Sequence, residues 1–265
     1  MNIIVCIKQV PGTAKVEIDE KTGVLKRDGV ESKLNPYDLF ALECGVRLKQ
    51  QYGGTVTAIT MGPPQCESAI REAFMMGVDA GAILSDRRFG GADVLATSYT
   101  IAQGIRKLGE FDLILCGKQT TDGDTAQVGA ELAEFLELPH ITNVCRIIEA
   151  KEGKLIIEQD MPSSIVTLSV DMPCLIAVDK DICQPRLPSY KLKKATAKRE
   201  IRWLGLDDLD DRDPLRYGLN GSPTQVKRIF PPDHSRTHVV LEGGAELGDR
   251  LFEELRGKKF LQEEF

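Results

Sequence analysis

Across its first 150 residues the chain alternates short apolar runs with segments of helical period, and this alternation restricts the fold more than any composition figure does. The runs NIIVCI (2–7), TVTAIT (55–60), AGAILS (80–85) and LILCG (113–117) have the length of strands buried on both faces. Between them, YDLFALECGVRLKQQ (37–51), ESAIREAFMMG (67–77) and DVLATSYTIAQGIRKL (93–108) place apolar residues three or four apart. Val128, Leu132, Phe135 and Leu136 continue that pattern. Strand and helix in regular succession predict an α/β fold with a doubly wound, mostly parallel sheet. KVEIDEKTGVLKRDGV (15–30) interrupts it with alternation around a Lys-Thr-Gly turn, the pattern of an inserted hairpin. From about residue 144, RIIEAKEGKLIIEQD and SSIVTLSV read as antiparallel strands, and CLIAVD (174–179) then restores an apolar strand.

Beyond Pro185 the core-forming rhythm fades, and Pro188, Pro214, Pro223, Pro231 and Pro232 punctuate a largely polar segment. Such a segment alone cannot offset its ordering entropy by burial, so it stays mobile or wraps a partner. The expected organisation is an α/β domain over 1–184 and an extended C-terminal arm over 185–265. One helix is expected in the arm, AELGDRLFEELRGKKF (245–260), with Leu247, Leu251 and Leu255 four apart. A net charge of −6 with dispersed Lys and Arg argues against a nucleic-acid binder. The seven cysteines are scattered without a C-x-x-C pair, the usage of buried thiols in a reducing compartment. With no leader-like segment and no apolar stretch near the roughly 18 residues that span a bilayer, a cytoplasmic protein without membrane insertion is expected.

The chemistry concentrates where strands end and helices begin. In CGKQTTDGDTAQV (116–128) the glycines Gly117 and Gly123 permit close backbone approach, Thr121 and Thr125 offer hydroxyls, and a helix N-terminus offers amides suited to phosphate. Asp122 and Asp124 oppose an anion there, and Asp124 with Gln127 equally reads as a helix cap and its partner. Both readings hold only if Lys118, Thr125 and Gln127 face the ligand while the acids point away. Asn35, Pro36, Tyr37 and Asp38 make a good helix start, or a turn touching the same ligand. ITMGPP (59–64) is a third such loop. In SDRRFGGADVLATS (85–98), arginines and glycines suit either a solvated loop or one holding phosphate beside a flat ring. His140, His234 and His238 lack metal-ligand spacing, and neither G-x-S-x-G nor G-x-x-x-x-G-K-[ST] occurs. KQVPGTA after the first strand lacks the Ser-Gly-Gly loop of an ATP pyrophosphatase. The residues suit holding a nucleotide, with no hydrolytic centre.

CIKQVPGTA, NPYDLFALECGVRLK, TMGPPQCESAIREAFMMGVD, CGKQTTDGDTAQVGAELAEFLELP and PRLPSYKLKKATAKREI, in this order, closely resemble the beta subunit of electron-transferring flavoproteins. The resemblance covers nearly the whole chain. It implies a Rossmann-like, adenine-nucleotide-binding α/β fold, an alpha subunit that carries FAD, and a C-terminal arm around that subunit. It maps a nucleotide site onto Cys6, Asn35, Tyr37, Asp38, Met61, Cys116, Gly117, Lys118, Gln119, Asp122, Gly123, Asp124, Thr125, Ala126, Gln127 and Val128. Adenine is expected near Cys6, Met61 and Cys116, and phosphates on 123–128. Housekeeping members hold structural AMP there. Electron-bifurcating members hold a second FAD, which accepts hydride from NADH and sends one electron to the alpha-subunit FAD and one to ferredoxin or flavodoxin. The loop with Arg87, Phe89, Asp93 and Thr97 is similar to the bifurcating kind, and GSPTQV (221–226) with Thr224 is expected near the flavin. Gly12 replaces a common Asp, and the segment after Pro185 is less basic and less Met-containing than usual. Tyr190 and Leu192 are the expected anchors for a partner flavin dehydrogenase of acyl-CoA or hydroxy-acid type. An ATP-binding stress-type sensor is the alternative from another class.

Overall fold

A computed structural model describes residues 1–12, 32–226 and 239–261. In chain order its strands and helices are β1 (Asn2–Cys6), β2 (Gln9–Pro11), β3 (Ser32–Leu34), α1 (Pro36–Tyr52), β4 (Thr55–Met61), α2 (Glu67–Met76) and β5 (Ala80–Leu84). Then come α3 (Val94–Leu108), β6 (Leu113–Gly117), α4 (Val128–Phe135), β7 (His140–Lys151), β8 (Lys154–Met161) and β9 (Ser164–Asp171). The last are β10 (Cys174–Val178), α5 (Tyr190–Ala195), β11 (Arg202–Leu204) and α6 (Leu247–Gly257).

Nine strands form one sheet in the order β11-β5-β4-β1-β6-β10-β7-β8-β9. All pairings from β11 to β7 are parallel, whereas β7-β8 and β8-β9 are antiparallel. This is the α/β, mostly parallel architecture that the alternating periods predict. Strand alternation divides β1 between two cores: Ile3 and Val5 join Leu42, Val46, Ile70 and Phe74 under α1 and α2. Ile4 and Cys6 join Ile101, Ile105 and Leu132 under α3 and α4. Helices on both faces make the sheet doubly wound. Gly104 lets α3 lie close on β5, since a Cβ there would stand 2.7 Å from the Leu84 side chain.

β2 and β3 pair antiparallel, Gln9 opposite Leu34, but the expected hairpin at 15–30 lies outside the described residues, as do His234 and His238. The chain divides into two compact units, Met1–Lys227 and Arg228–Phe265. The expectation that the chain beyond Pro185 stays mobile or wraps a partner is corrected for the part in the first unit. β11 extends the parallel edge, and Leu204, Leu206, Leu209 and Tyr217 are buried. These apolar residues fill the rim of a sheet built by the earlier chain, so they need no periodicity of their own. In the second unit α6 forms within the expected stretch and carries Leu247, Leu251 and Leu255 along one side. No described helix is long and apolar enough to cross a membrane.

Candidate functional site

The strand order reverses at β1, with β4 on one side and β6 on the other. Crevices at the carboxyl ends of strands flanking such a switch point are where open α/β sheets hold ligands. Three segments converge there: Ile7 and Lys8 after β1, the start of α1, and residues 118–127 after β6.

Asn35 joins them. It sits at the N-cap position of α1 yet makes no capping bond, so the well-made helix start is not what its side chain serves. Fully buried, it donates from Nδ2 to Asp38 Oδ1 (2.9 Å) and to the Gln119 carbonyl (2.9 Å), and its Oδ1 accepts from the Thr121 amide (3.3 Å). Asp38 Oδ2 accepts the Lys8 amide at 2.7 Å. Burial pushes the Asp38 carboxyl up to about 7, against the pull of Asn35, Lys8 and the Gly117 amide. Position 117 must be glycine, because a Cβ would stand 2.5 Å from Asp38 Oδ1 and 2.7 Å from the Tyr37 carbonyl carbon.

The turn departs from the helix-capping reading. α4 begins only at Val128, the N-cap position is Gln127, and no side chain caps it. Asp124 has φ of 53° and Ala126 of 55°, left-handed conformations that ordinary residues adopt at a cost. The Asp124 amide donates back to the Thr120 carbonyl at 3.0 Å. Asp124 therefore shapes the turn and caps nothing, which leaves the first amides of α4 without a side-chain acceptor. Unfilled amides with a partial positive charge favour an anion.

A charge pair answers the objection raised by one of the two acids, Asp122. Asp122 Oδ1 accepts from Lys8 Nζ at 2.8 Å, and although burial opposes it, this pairing holds the carboxyl below its ordinary range. Lys118 donates from Nζ to Asp179 Oδ2 at 2.8 Å, so it faces that carboxylate instead of a ligand. Its amide donates to Val178 at 2.9 Å, which ties the turn to β10. Gly123, Thr125 and Gln127 are exposed. Cys6 and Cys116 are register neighbours on β1 and β6, both buried, and their mutual hydrogen bond and burial keep the Cys6 thiol protonated. Met61 ends β4 beside them.

The loop after β5 lies two strands from β1, about 10 Å at ordinary strand spacing. Its polar groups are bound to one another. Arg88 pairs with Asp86 (2.6 Å) and Asp207 (2.8 Å), which holds Asp86 far below the usual carboxylate range. Asp93 caps α3 through the Ala96 amide (3.1 Å) and accepts the Thr224 amide (3.0 Å) and hydroxyl (2.7 Å). Thr97 lies in the first turn of α3, its amide bonded to the Asp93 carbonyl. Phe89 is buried with its ring 5.5 Å from that of Tyr217, so it is a core residue and offers no face to a flat ligand. Of the predicted set, Arg87 and Thr224 are exposed there, and Thr224 is taken by Asp93. Farther away, Tyr190 is exposed at the start of α5 under Lys194 Nζ, 4.9 Å from its ring centroid, and Leu192 is half-buried.

Sequence reasoning missed Lys8 and Asp179, which neutralise and anchor the turn. The available signal was position, since each directly follows a parallel strand at the carboxyl edge.

Sheet order places the chain among the doubly wound α/β proteins. An electron transfer flavoprotein domain matches residues 22–209. The chain is 42% identical over 261 residues to the electron transfer flavoprotein subunit beta of Thermoanaerobacterium thermosaccharolyticum, covering 97% of this chain and 99% of that one. It is 44% identical over 264 residues to the caffeyl-CoA reductase-Etf complex subunit CarD of Acetobacterium woodii (98% and 100%). To protein FixA of Azotobacter vinelandii it is 38% identical over 273 residues (99% and 95%). The chain belongs to the electron transfer flavoprotein family, on the beta-subunit side.

Proposed function

We propose that this chain binds FAD at the turn after β6 and works with an alpha subunit to divide electrons from NADH. One share goes to ferredoxin or flavodoxin and the other to a partner flavin dehydrogenase of acyl-CoA or hydroxy-acid type. The observation that carries the nucleotide reading is the uncapped start of α4 beside a turn held open by Asn35 and Gly117. A pyrophosphate suits those amides. The family is flavoprotein-associated, and the name of the Acetobacterium woodii relative places that protein in a complex with a reductase.

In this reading the amides of Val128, Gly129 and Ala130 receive phosphate, with Gly123 and Thr125 beside it. Lys8 keeps Asp122 from repelling it, and Cys6, Cys116 and Met61 present a neutral surface to adenine. FAD, when bound, supplies two-electron and one-electron chemistry. The protein binds and orients it, and no side chain acts as acid or base. Tyr190 and Leu192 dock the dehydrogenase, and the part of the expected arm beyond the first unit serves the alpha subunit, with the apolar side of α6 as one contact. The protein works in the cytoplasm, without nucleic acid or membrane insertion.

One observation favours a second reading, in which the site holds structural AMP. The loop after β5 satisfies its own polar groups and buries Phe89, so most of the groups expected beside a flavin ring are already engaged. Acid release and chromatographic measurement of nucleotides from the chain co-expressed with its alpha subunit separates the two. Two FAD and no AMP per complex are expected, and one FAD with one AMP makes this chain a structural nucleotide holder.

A further inference from the structure

The cysteines differ in what they face. Among the described residues Cys6 and Cys116 are the one cysteine pair in strand register, on the neighbouring parallel strands β1 and β6, and both point into the core under α3 and α4. Parallel neighbours stand about 4.8 Å apart, inside the Cα separation that a disulfide spans. The two thiols already hydrogen-bond to each other. Cys145 and Cys183, by contrast, donate to the carbonyls of Glu158 (3.4 Å) and Phe40 (3.7 Å).

The surroundings leave this pair room to change. Cys6 is the last residue of β1, and only Gly117 follows Cys116 in β6, so little of either ladder continues beyond them. The residues around Cys116 are small. Ala177 is its register partner on β10, and a Cβ built on Gly129 of α4 would stand 3.7 Å from the Cys116 Cβ, so a methyl group would fit there without overlap. Neither cysteine is sealed: they are 9% and 5% exposed, on the carboxyl edge that carries the candidate site. Burial keeps the Cys6 thiol protonated, so the reduced pair is the resting state and its oxidation is slow.

We propose that Cys6 and Cys116 are a reversible redox pair, closed to a cross-strand disulfide by a peroxide-class oxidant and reopened by a small thiol. In the first step one sulfur takes a hydroxyl from the peroxide as the O–O bond breaks, and water leaves. The second sulfur then displaces that hydroxyl, the S–S bond forms, and a second water leaves. Two thiols and one peroxide become one disulfide and two waters, with two electrons passing from sulfur to oxygen. Two molecules of small thiol reverse the closure and leave as their own disulfide. Adenine lying on the two sulfurs shields them from the oxidant. That shielding rests on the nucleotide reading above, whereas the pairing of the sulfurs does not.

The test is peptide mapping by mass spectrometry of the full chain, freed of nucleotide by dialysis, treated with hydrogen peroxide, alkylated and digested without reductant. A peptide pair joining Cys6 to Cys116 is expected, lighter by two hydrogens than the separate peptides and parted by dithiothreitol. FAD or AMP at about ten times its Kd should slow its formation about tenfold, since only the free fraction reacts. Cys6→Ser should abolish the crosslink, and Cys44→Ser should leave it unchanged. Recovery of both thiols in alkylated form, or their oxidation to separate sulfinic acids, overturns the proposal. A crosslink that forms equally fast with and without either nucleotide upholds the pair and counts against the crevice as the nucleotide site. The wild-type map decides the matter even if Cys6→Ser fails to fold.

Discussion

The turn after β6 and the loop after β5 are both strand-to-helix junctions on one carboxyl edge, both carry Gly and a pair of Asp, and they differ in what their polar groups already hold. Around the loop, Asp86, Arg88, Asp93 and Thr224 bind one another, and α3 is capped by Asp93. At the turn, α4 is uncapped, two residues sit at left-handed φ, and Asn35 reaches across from α1 to keep the backbone in place. Hydrogen-bond capacity that the chain does not use itself is what distinguishes a ligand junction from a structural lock.

The largest test of that contrast is Phe89→Ala. Removing a buried ring at the lock should cost about 3–5 kcal/mol of stability in urea unfolding while nucleotide per folded chain stays the same. Loss of nucleotide from the folded protein would put the loop back among the ligand contacts. Gly117→Ala should act the other way round. Its Cβ overlaps Asp38 and Tyr37, costs about 1–3 kcal/mol, and displaces the turn, so that nucleotide content falls more steeply than stability.

A pH series sharpens the comparison further. Asp38 is raised in the folded state to about 7, above the unfolded value of about 4. Folding therefore favours its protonated form, and its contribution to stability is greatest below about pH 4, declines as pH rises to about 7, and is level beyond. Urea midpoints of the wild type should fall relative to Asp38→Asn across that window. Asp86, held low by Arg88, behaves oppositely: its contribution is present above about pH 4 and is lost as pH falls further. An Asp86→Asn variant measured alongside should show the difference appearing only above that pH.

The smallest effect belongs to Asp124. Were it a cap, replacement would cost about 1 kcal/mol. At φ of 53° with no capping bond, Asp124→Gly should instead gain up to about 1 kcal/mol. For Asp124→Lys there is no cap to lose, and only the field at the proposed phosphate site changes. Thermal unfolding of both variants decides whether the residue is a cap or a shaped turn.

Much of this was readable from residue order. Strand and helix periods in the first 150 residues located β1, α1, β4, α2, β5, α3, β6 and α4, because elements buried on one or both faces must repeat at their own period. The convergence of Asn35, Asp38 and the Gly117 turn followed from all three standing at carboxyl edges. What order could not show was which groups neutralise each other. Lys8 and Asp122 are 114 residues apart, and Lys118 and Asp179 are 61 apart. Phe89 looked available because a ring beside two glycines gives no local sign of Tyr217, which meets it from the far end of the chain. β11 and the buried leucines after it escaped notice for the same reason, since rim positions need no periodicity.

The place of one strand in the sheet bears on how the protein is made. β10 lies between β6 and β7, although β7, β8 and β9 all precede it in the chain. Until residues 174–178 are made, no strand can join β6 to β7, and any sheet formed on either side has an unpaired edge there. Open apolar edges invite pairing with other chains. The ribosome must deliver these five residues before that hazard ends.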